Sequence, residues 1–529
     1  MIPLVPFVVF AYLALYALAF SIPAHLLPSQ KPLGKQPSWL SKEKTEFGPQ
    51  SSLDAWLEEE QKIALENLLN NIAPGGARAP DAAPGTVIAS PSKEHPNYYY
   101  QWIRDAAITL ATLVDWYEED PTSYLSSKIV SIMEAYAAFS HRLQHTPNPS
   151  GTFEDHLSGL GEPKFHVDGS AFTENWGRPQ RDGPPLRAIT LMRYMKAYNA
   201  SHADLWTQRS GFFQDLYDAR MPANSTIKAD LEYTSHYWRA EGFDLWEELI
   251  GLHFFTAMVQ LRALREGARV ASLFADPGAA RWYVDQAERM QSDLLPRFWS
   301  EEKGHLVETL DSGRSGLDCG ILLGAIHGTT TECSTNPTEA EQCVYAPYSD
   351  EILVTLLNFV RDQAARHPIN TQPIIASPYK DISDLAGVGV GRYPEDGYDG
   401  YETIPGTGNP WFLCTSSVSE VLYRTRLHLQ TTGVLNVTER GLPFWEALIP
   451  TQHPSPGTYK RGNDVFEEAV RRLKSVGDAF LKVVRTHVDG EGRMSEQLDR
   501  HNGYMRGATD LTWSYGAFLQ ATRARKMAA

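Results

Sequence analysis

Apolar residues recur at three- and four-residue spacing along most of this chain, the period of a helix with one buried face. The pattern predicts helices over Leu53–Asn71, Asp105–Tyr117, Tyr124–Leu143, Pro184–Tyr198, Leu205–Arg220, Ile227–Trp238 and Asp244–Arg265. It continues through Ala279–Phe298, Asp350–Ala365, Pro410–Leu429, Asp464–Arg485 and Ala508–Ala524. Strand-like alternation is scarce. About a dozen helices without a fixed sequence repeat predict an all-α fold, an (α/α)-type toroid in which an inner ring of helices is wrapped by an outer ring. Long stretches at Thr146–Asp182, Ser300–Ser315, Gly328–Pro347 and Pro368–Asn409 interrupt the pattern. Structureless stretches of that length in a compact domain usually carry function.

Composition narrows the class. With 529 residues, 42% of them hydrophobic, the chain has material for a large core. A net charge of -16 leaves no basic face for phosphates, which excludes a nucleic-acid partner and remains compatible with a neutral polyol. Ile2 to Ala24 carries no charge and reads as a secretory signal peptide with small-residue cleavage sites; the same run could act as an uncleaved membrane anchor. His25 to Gln50, rich in Pro, Ser and Lys, reads as a linker or propeptide, with the folded body starting at Ser51. Acceptor sequons at Asn199, Asn224 and Asn436 agree with a secreted glycoprotein. Of the four cysteines, Cys333 and Cys343 bracket a polar loop and are expected to form a disulfide, whereas Cys319 and Cys414 lie in apolar surroundings as buried thiols. Neither zinc-ligand spacing nor a glycine-rich nucleotide loop is present, so no metal and no cofactor is expected.

Candidate chemistry is concentrated in five segments. Asp244-Leu245-Trp246-Glu247-Glu248 packs three carboxylates and an indole into five residues. Paired carboxyls with flat aromatic faces suit glycosidic bond cleavage, which needs one group to protonate the leaving oxygen and another to activate water. The same spacing of Asp244 and Glu247 also fits a capping box at a helix start. Tyr98 to Asp105 runs aromatics into an Arg104-Asp105 pair able to grip adjacent hydroxyls, with Tyr98 and Trp102 as walls. Trp176 to Pro184 offers a rigid turn with Trp176 as platform and Arg178 as polar grip. Gly391 to Asp396, followed by Asn409-Pro410-Trp411-Phe412, and Met494-Ser495-Glu496-Gln497, followed by Trp513, complete the set. Taken singly, each also reads as a turn, a buried aromatic cluster or a solvated charge.

Together these segments resemble, in order and over almost the whole body, the fungal glucoamylases, inverting glycoside hydrolases that remove glucose from starch-type chains. Leu53 to Leu57, Val87 to Ser92 and Gly161 to Phe165, reading on into Trp176 to Pro184, belong to the same match. The resemblance implies an (α/α)6 barrel with a pocket at one end, Glu247 as general acid and Glu496 as general base, and Asp244 as a supporting carboxylate. It implies that Glu248 binds substrate and that Arg104, Asp105 and Arg392 hold the terminal sugar's hydroxyls. Tyr98, Trp102, Trp176, Trp246, Trp411 and Trp513 would line the pocket, and Arg178, Leu245 and Asp396 would line or support it. The implied activity is exo-hydrolysis of α-1,4 bonds, with slower α-1,6 cleavage, by a monomer on α-glucan oligosaccharides. Three departures stand out: Ile250 where Asn is common, Leu498 where Tyr is usual, and an insertion at about Gly400 to Thr407. The chain ends at Ala529 without a starch-binding module, which points to soluble dextrins over granules.

Overall fold

The computed structural model describes residues 52–202, 211–330, 333, 343–371 and 385–529. The leader and linker, the start of the Leu205–Arg220 helix and parts of the Gly328–Pro347 and Pro368–Asn409 loops lie outside the described residues.

Among the described residues, twelve of the helices alternate between two rings. The outer helices are α1 (Leu53–Asn70), α3 (Tyr124–Gln144), α5 (Thr226–Tyr237), α7 (Pro277–Arg289), α9 (Asp350–Arg366) and α11 (Asp464–His487). The inner helices are α2 (Ile103–Glu119), α4 (Gly183–Ser201), α6 (Phe254–Leu273), α8 (Cys319–His327), α10 (Phe412–Thr432) and α12 (Thr512–Met527). Each inner helix packs on the next, and α12 returns to α2, closing the ring as an (α/α)6 barrel.

Position in the barrel follows from the residues. The outer helix α11 buries one stripe, including Phe466, Leu473 and Phe480, and leaves the rest polar. Inner helices are enclosed on every side. α2 buries each residue from Ile103 to Leu110, and α8, Cys-Gly-Ile-Leu-Leu-Gly-Ala-Ile-His, buries Cys319 through Ile326. Consecutive burial of this kind covers the faces toward the barrel axis as well as those toward the outer ring. The barrel is therefore packed beneath the N-terminal end of the inner ring, while residues of all six inner helices, among them Asp115, Arg193, Arg262, His327, Arg424 and Arg523, line a separate cavity of about 720 Å³ toward the opposite end.

The residues immediately before the inner helices are Trp102, Asp182, His253, Asp318, Trp411 and Leu511. Trp102, Trp411 and Leu511 line one cavity, while Asp182 and Asp318 hold two of its wall residues, Arg104 and Trp246. That cavity thus lies at the N-terminal end of the inner ring, where the partial positive charge of helix ends favours carboxylates.

Three expectations are corrected. Asp244 to Arg265 is not one helix: α6 begins at Phe254, and Asp244–Leu249 forms the loop of a hairpin between β3 (Gly242–Phe243) and β4 (Ile250–Gly251). Asp244 therefore caps no helix; its Oδ1 accepts from the amides of Glu248 and Leu249, at 2.7 and 2.9 Å, and closes that loop. The predicted helix Ala279–Phe298 stops at Arg289 and continues as one π turn and one 3-10 turn. Two further strand pairs frame the cavity: β1 (Gln101–Trp102) with the sequence-distant β2 (Lys164–Phe165), and the hairpin of β5 (Gln497–Leu498) with β6 (Met505–Arg506). Cys333 and Cys343 form a disulfide, and Cys319 and Cys414 are buried thiols, as expected.

Candidate active site

The cavity, about 270 Å³, is just under the usual range for small-ligand sites. Tyr98, Trp102, Arg104, Asp105, Trp176, Leu245, Trp246, Glu247, Glu248, Arg392, Trp411, Glu496 and Trp513 all line it, although the last is 513 − 98 = 415 positions from the first. Asp244, Arg178 and Asp396 do not. Asp244 is buried in the loop turn beneath, Arg178 pairs with Glu162 at 3.0 Å, and Asp396 clamps Arg392 through two hydrogen bonds of 2.9 and 2.6 Å.

Glu247 sits in the β3–β4 loop with φ of +69°, a left-handed conformation rarely adopted outside glycine. Strain of roughly 1–3 kcal/mol at such a residue persists where surrounding contacts over-determine it. Here they do. Its Oε1 accepts from the Trp102 indole at 2.7 Å and from Gln180 Nε2 at 2.9 Å, and Arg104 Nη2 lies 3.7 Å away. The loop carrying Gln180 is stitched to β3 by the Phe243 amide donating to Pro179 O at 2.8 Å. At Gly177 a side chain would meet Glu247 O at 2.8 Å, so glycine is needed for this approach.

Glu496 stands in a different setting. It is fully buried, its amide donates to Ala508 O at 2.8 Å, and its Oε1 has no hydrogen-bond partner among the described residues. A methyl group at Gly507 would collide with its other oxygen. Burial pushes the carboxyl up to about 8, against the pull of the Tyr98 hydroxyl, the Arg392 charge, the Ala508 backbone and the Tyr398 hydroxyl.

Glu248 is the fully engaged acid of the three. Arg392 and Arg314 donate to it at 2.8 and 2.7 Å, as does the Tyr393 hydroxyl, and despite burial these groups hold its pKa below the usual carboxylate range. Arg392 is itself surrounded by the rings of Trp246, Tyr393, Tyr398 and Trp411 at 5.2–5.4 Å. Arg104 donates to Gln180 and Asp182 at 2.8 and 3.1 Å and lies beside Asp105. Burial raises Asp105 to about 6, with Arg104 opposing, and its Oδ2 makes no hydrogen bond but lies 3.3 Å from Arg104 Nε.

Sequence reasoning missed Gln180, Arg314, Tyr398 and Thr403. Gln180 and Arg314 act through other side chains, whereas Tyr398 and Thr403 line the cavity itself. Thr403 belongs to the stretch read as an insertion, which is tied down by Arg506 to Asp399 and by Arg500 to Gly408 O. The other departures lie apart: Ile250 is 63% exposed and Leu498 is packed into the core. Among the sequons, Asn224 and Asn436 are exposed, and Asn199 is half-buried in the last turn of α4.

A helical barrel whose pocket combines a donor-clamped carboxyl, a buried unpartnered carboxyl and a lining of indoles defines a glycoside hydrolase. The chain belongs to glycosyl hydrolases family 15, whose model matches residues 62–523. It is 36% identical over 499 residues to a glucoamylase of Saccharomycopsis fibuligera, covering 90% of this chain and 91% of that one. It is 32% identical over 504 residues to an intracellular, sporulation-specific glucoamylase of Saccharomyces cerevisiae, covering 90% and 85%. The solved family 15 glucoamylase of Hypocrea jecorina superposes with a TM-score of 0.78 at 36% identity, over 90% of this chain and 72% of that one. Among the described residues no helix is long and apolar enough to cross a membrane, and no cluster of metal-binding side chains occurs.

Proposed function

We propose that the protein is an exo-acting glucoamylase that cleaves terminal α-1,4 bonds, and α-1,6 bonds more slowly, from the non-reducing ends of maltooligosaccharides and dextrins, releasing β-D-glucose. The observation that carries this reading is the contrast between the two catalytic carboxyls. Glu247 has one oxygen fixed by Trp102 and Gln180, which leaves the other to carry a proton to the glycosidic oxygen. Glu496 lines the cavity with Oε1 free of a hydrogen-bond partner among the described residues and the Tyr98 and Tyr398 hydroxyls beside its carboxyl, an arrangement suited to taking a proton from water. Positive charge developing on the sugar ring favours the ionised form of Glu496 at the moment it is needed. Arg104, Asp105 and Arg392 grip the ring hydroxyls, with Glu248 braced beside them, and the indoles cover its apolar face. Asp244 serves by shaping the loop that presents Glu247, and Asp396 and Arg178 by bracing.

Proton NMR of early maltotriose hydrolysis tests the reaction: the first glucose signal is expected to be the β anomer, and an initial α signal refutes inversion. Glu496→Gln and Glu247→Gln are each expected to lose about 10²–10⁴-fold in turnover while still binding maltooligosaccharide. The uncharged leader, the Cys333–Cys343 bridge and the exposed Asn224 and Asn436 support secretion with glycans at those two positions. The processed N-terminus and deglycosylation shift of material from the culture medium check it.

A further inference from the structure

Lys164 is the cross-strand neighbour of Trp102 in the antiparallel β1–β2 pair and is 2% exposed. Its ammonium lies 3.1 Å from the centre of the Trp176 ring, 4.0 Å from Phe172, 4.6 Å from Trp102 and 4.7 Å from Tyr100. No carboxylate lies within ion-pairing distance of it among the described residues. Glu162, the acid nearest in sequence, is occupied by Arg178 at 3.0 Å. An enclosed cation without a counterion is costly unless something nearby uses the charge. Two rings of this cage, Trp102 and Trp176, are cavity walls, and Trp102 is the indole that donates to Glu247.

We propose that Lys164 is a positioning residue for the proton donor: its ammonium fixes the indoles of Trp102 and Trp176 by cation–π contact and supplies positive charge behind Glu247 as that group becomes a carboxylate. The assignment rests on Glu247 being the acid. Glu247 is the anion that acts most strongly on Lys164, followed by Glu174; Arg178 opposes and Glu162 adds slightly, and His166 faces the same cage against Tyr100 and Phe172. Arg104 faces Glu247 from α2, with Asp105 and Asp182 beside it. A charge in an apolar, ring-lined site is little screened by solvent, so it acts across the indole. The lysine titrates low, at about 8, chiefly because it is desolvated.

Lys164→Met and Lys164→Arg, measured as kcat and KM for maltotriose against pH, test the proposal. The Met variant is expected to lose about tenfold or more in kcat with a smaller change in KM. Its alkaline limb of kcat/KM is expected to move up by about half a pH unit or more, because a carboxyl with less positive charge around it holds its proton longer. The Arg variant is expected to keep the limb in place. An alkaline limb in the Met variant that coincides with the parent's overturns the proposal even if kcat falls, since a purely structural loss would not move it. Lys164→Gln substitutes if the Met variant does not fold, and failure of both neutral variants to fold makes the ammonium a folding element and overturns it equally. Should Glu247→Gln retain turnover, the acid assignment fails, and this is distinguishable from an unmoved limb in a chain where Glu247→Gln is inactive.

Discussion

Gln180→Met isolates the clamp on the proton donor. Gln180 is 2% exposed, does not line the cavity, and links Arg104 to Glu247: its Oε1 accepts from Arg104 Nη1 at 2.8 Å and its Nε2 donates to Glu247 Oε1 at 2.9 Å. Methionine keeps the volume and removes both bonds, together with the one Nε2 donates to Gly177 O at 2.9 Å within its own loop. Arg104 retains Asp182 at 3.1 Å, so the main loss falls on Glu247. A hydrogen bond to a charged group contributes about 1.5–3 kcal/mol. This one strengthens as Glu247 gives up its proton, so it stabilises the transition state more than bound substrate. At about 1.4 kcal/mol per factor of ten, kcat is expected to fall about 10- to 100-fold with KM within about threefold. Initial rates of glucose release from maltotriose over a range of concentrations measure both. A kcat within twofold of the parent, or a loss carried wholly by KM, refutes the clamp.

Other variants and conditions probe neighbouring parts of the site. Arg392→Lys cannot hold both Asp396 and Glu248; loss of one charge-assisted bond, about 1.5–3 kcal/mol, should cut kcat/KM about 10- to 100-fold and lower the melting temperature in calorimetry. Tyr398→Phe removes a hydroxyl that favours ionised Glu496, so the acidic limb of kcat/KM should move to higher pH; a limb that stays or moves down contradicts the arrangement. Glu308, Asp318 (about 8), Glu496 (about 8) and Asp105 (about 6) are all raised by burial. The folded state therefore keeps protons that the unfolded chain releases near pH 4. Their contribution to stability is full below about pH 4 and lost as pH rises toward 8. His327, His367, His428 and His487, which burial lowers to about 3–4, work in the opposite direction below about pH 6.5. Melting temperature should therefore fall from about pH 7 to 8, and a rise over that interval would contradict the assignment.

Much of the barrel is legible in helical periodicity because outer helices must hide one stripe and show another. α8 is not, since a nine-residue helix buried all round carries no stripe to detect. The misreading at Asp244 has a similar cause. An acid that accepts two backbone amides satisfies a helix start and a tight loop equally well, and only the φ of Glu247 separates them. Most residues that line the cavity were found through motifs of aromatics and charge, Tyr398 and Thr403 excepted. Their supports, Gln180, Arg314 and Lys164, were not, because their meaning lies in partners 67, 66 and 62 positions away along the chain.

The packing beneath the catalytic cavity has a kinetic consequence. A blind cavity has one doorway, so the freed sugar must back out by the route the next chain end takes in, and the shortened chain cannot slide forward until it has gone. Each cut then ends an encounter. An enzyme built this way counts tips and not mass: its rate on a given weight of glucan should climb with the number of branches exposed, and accumulating glucose should slow it by standing in the doorway.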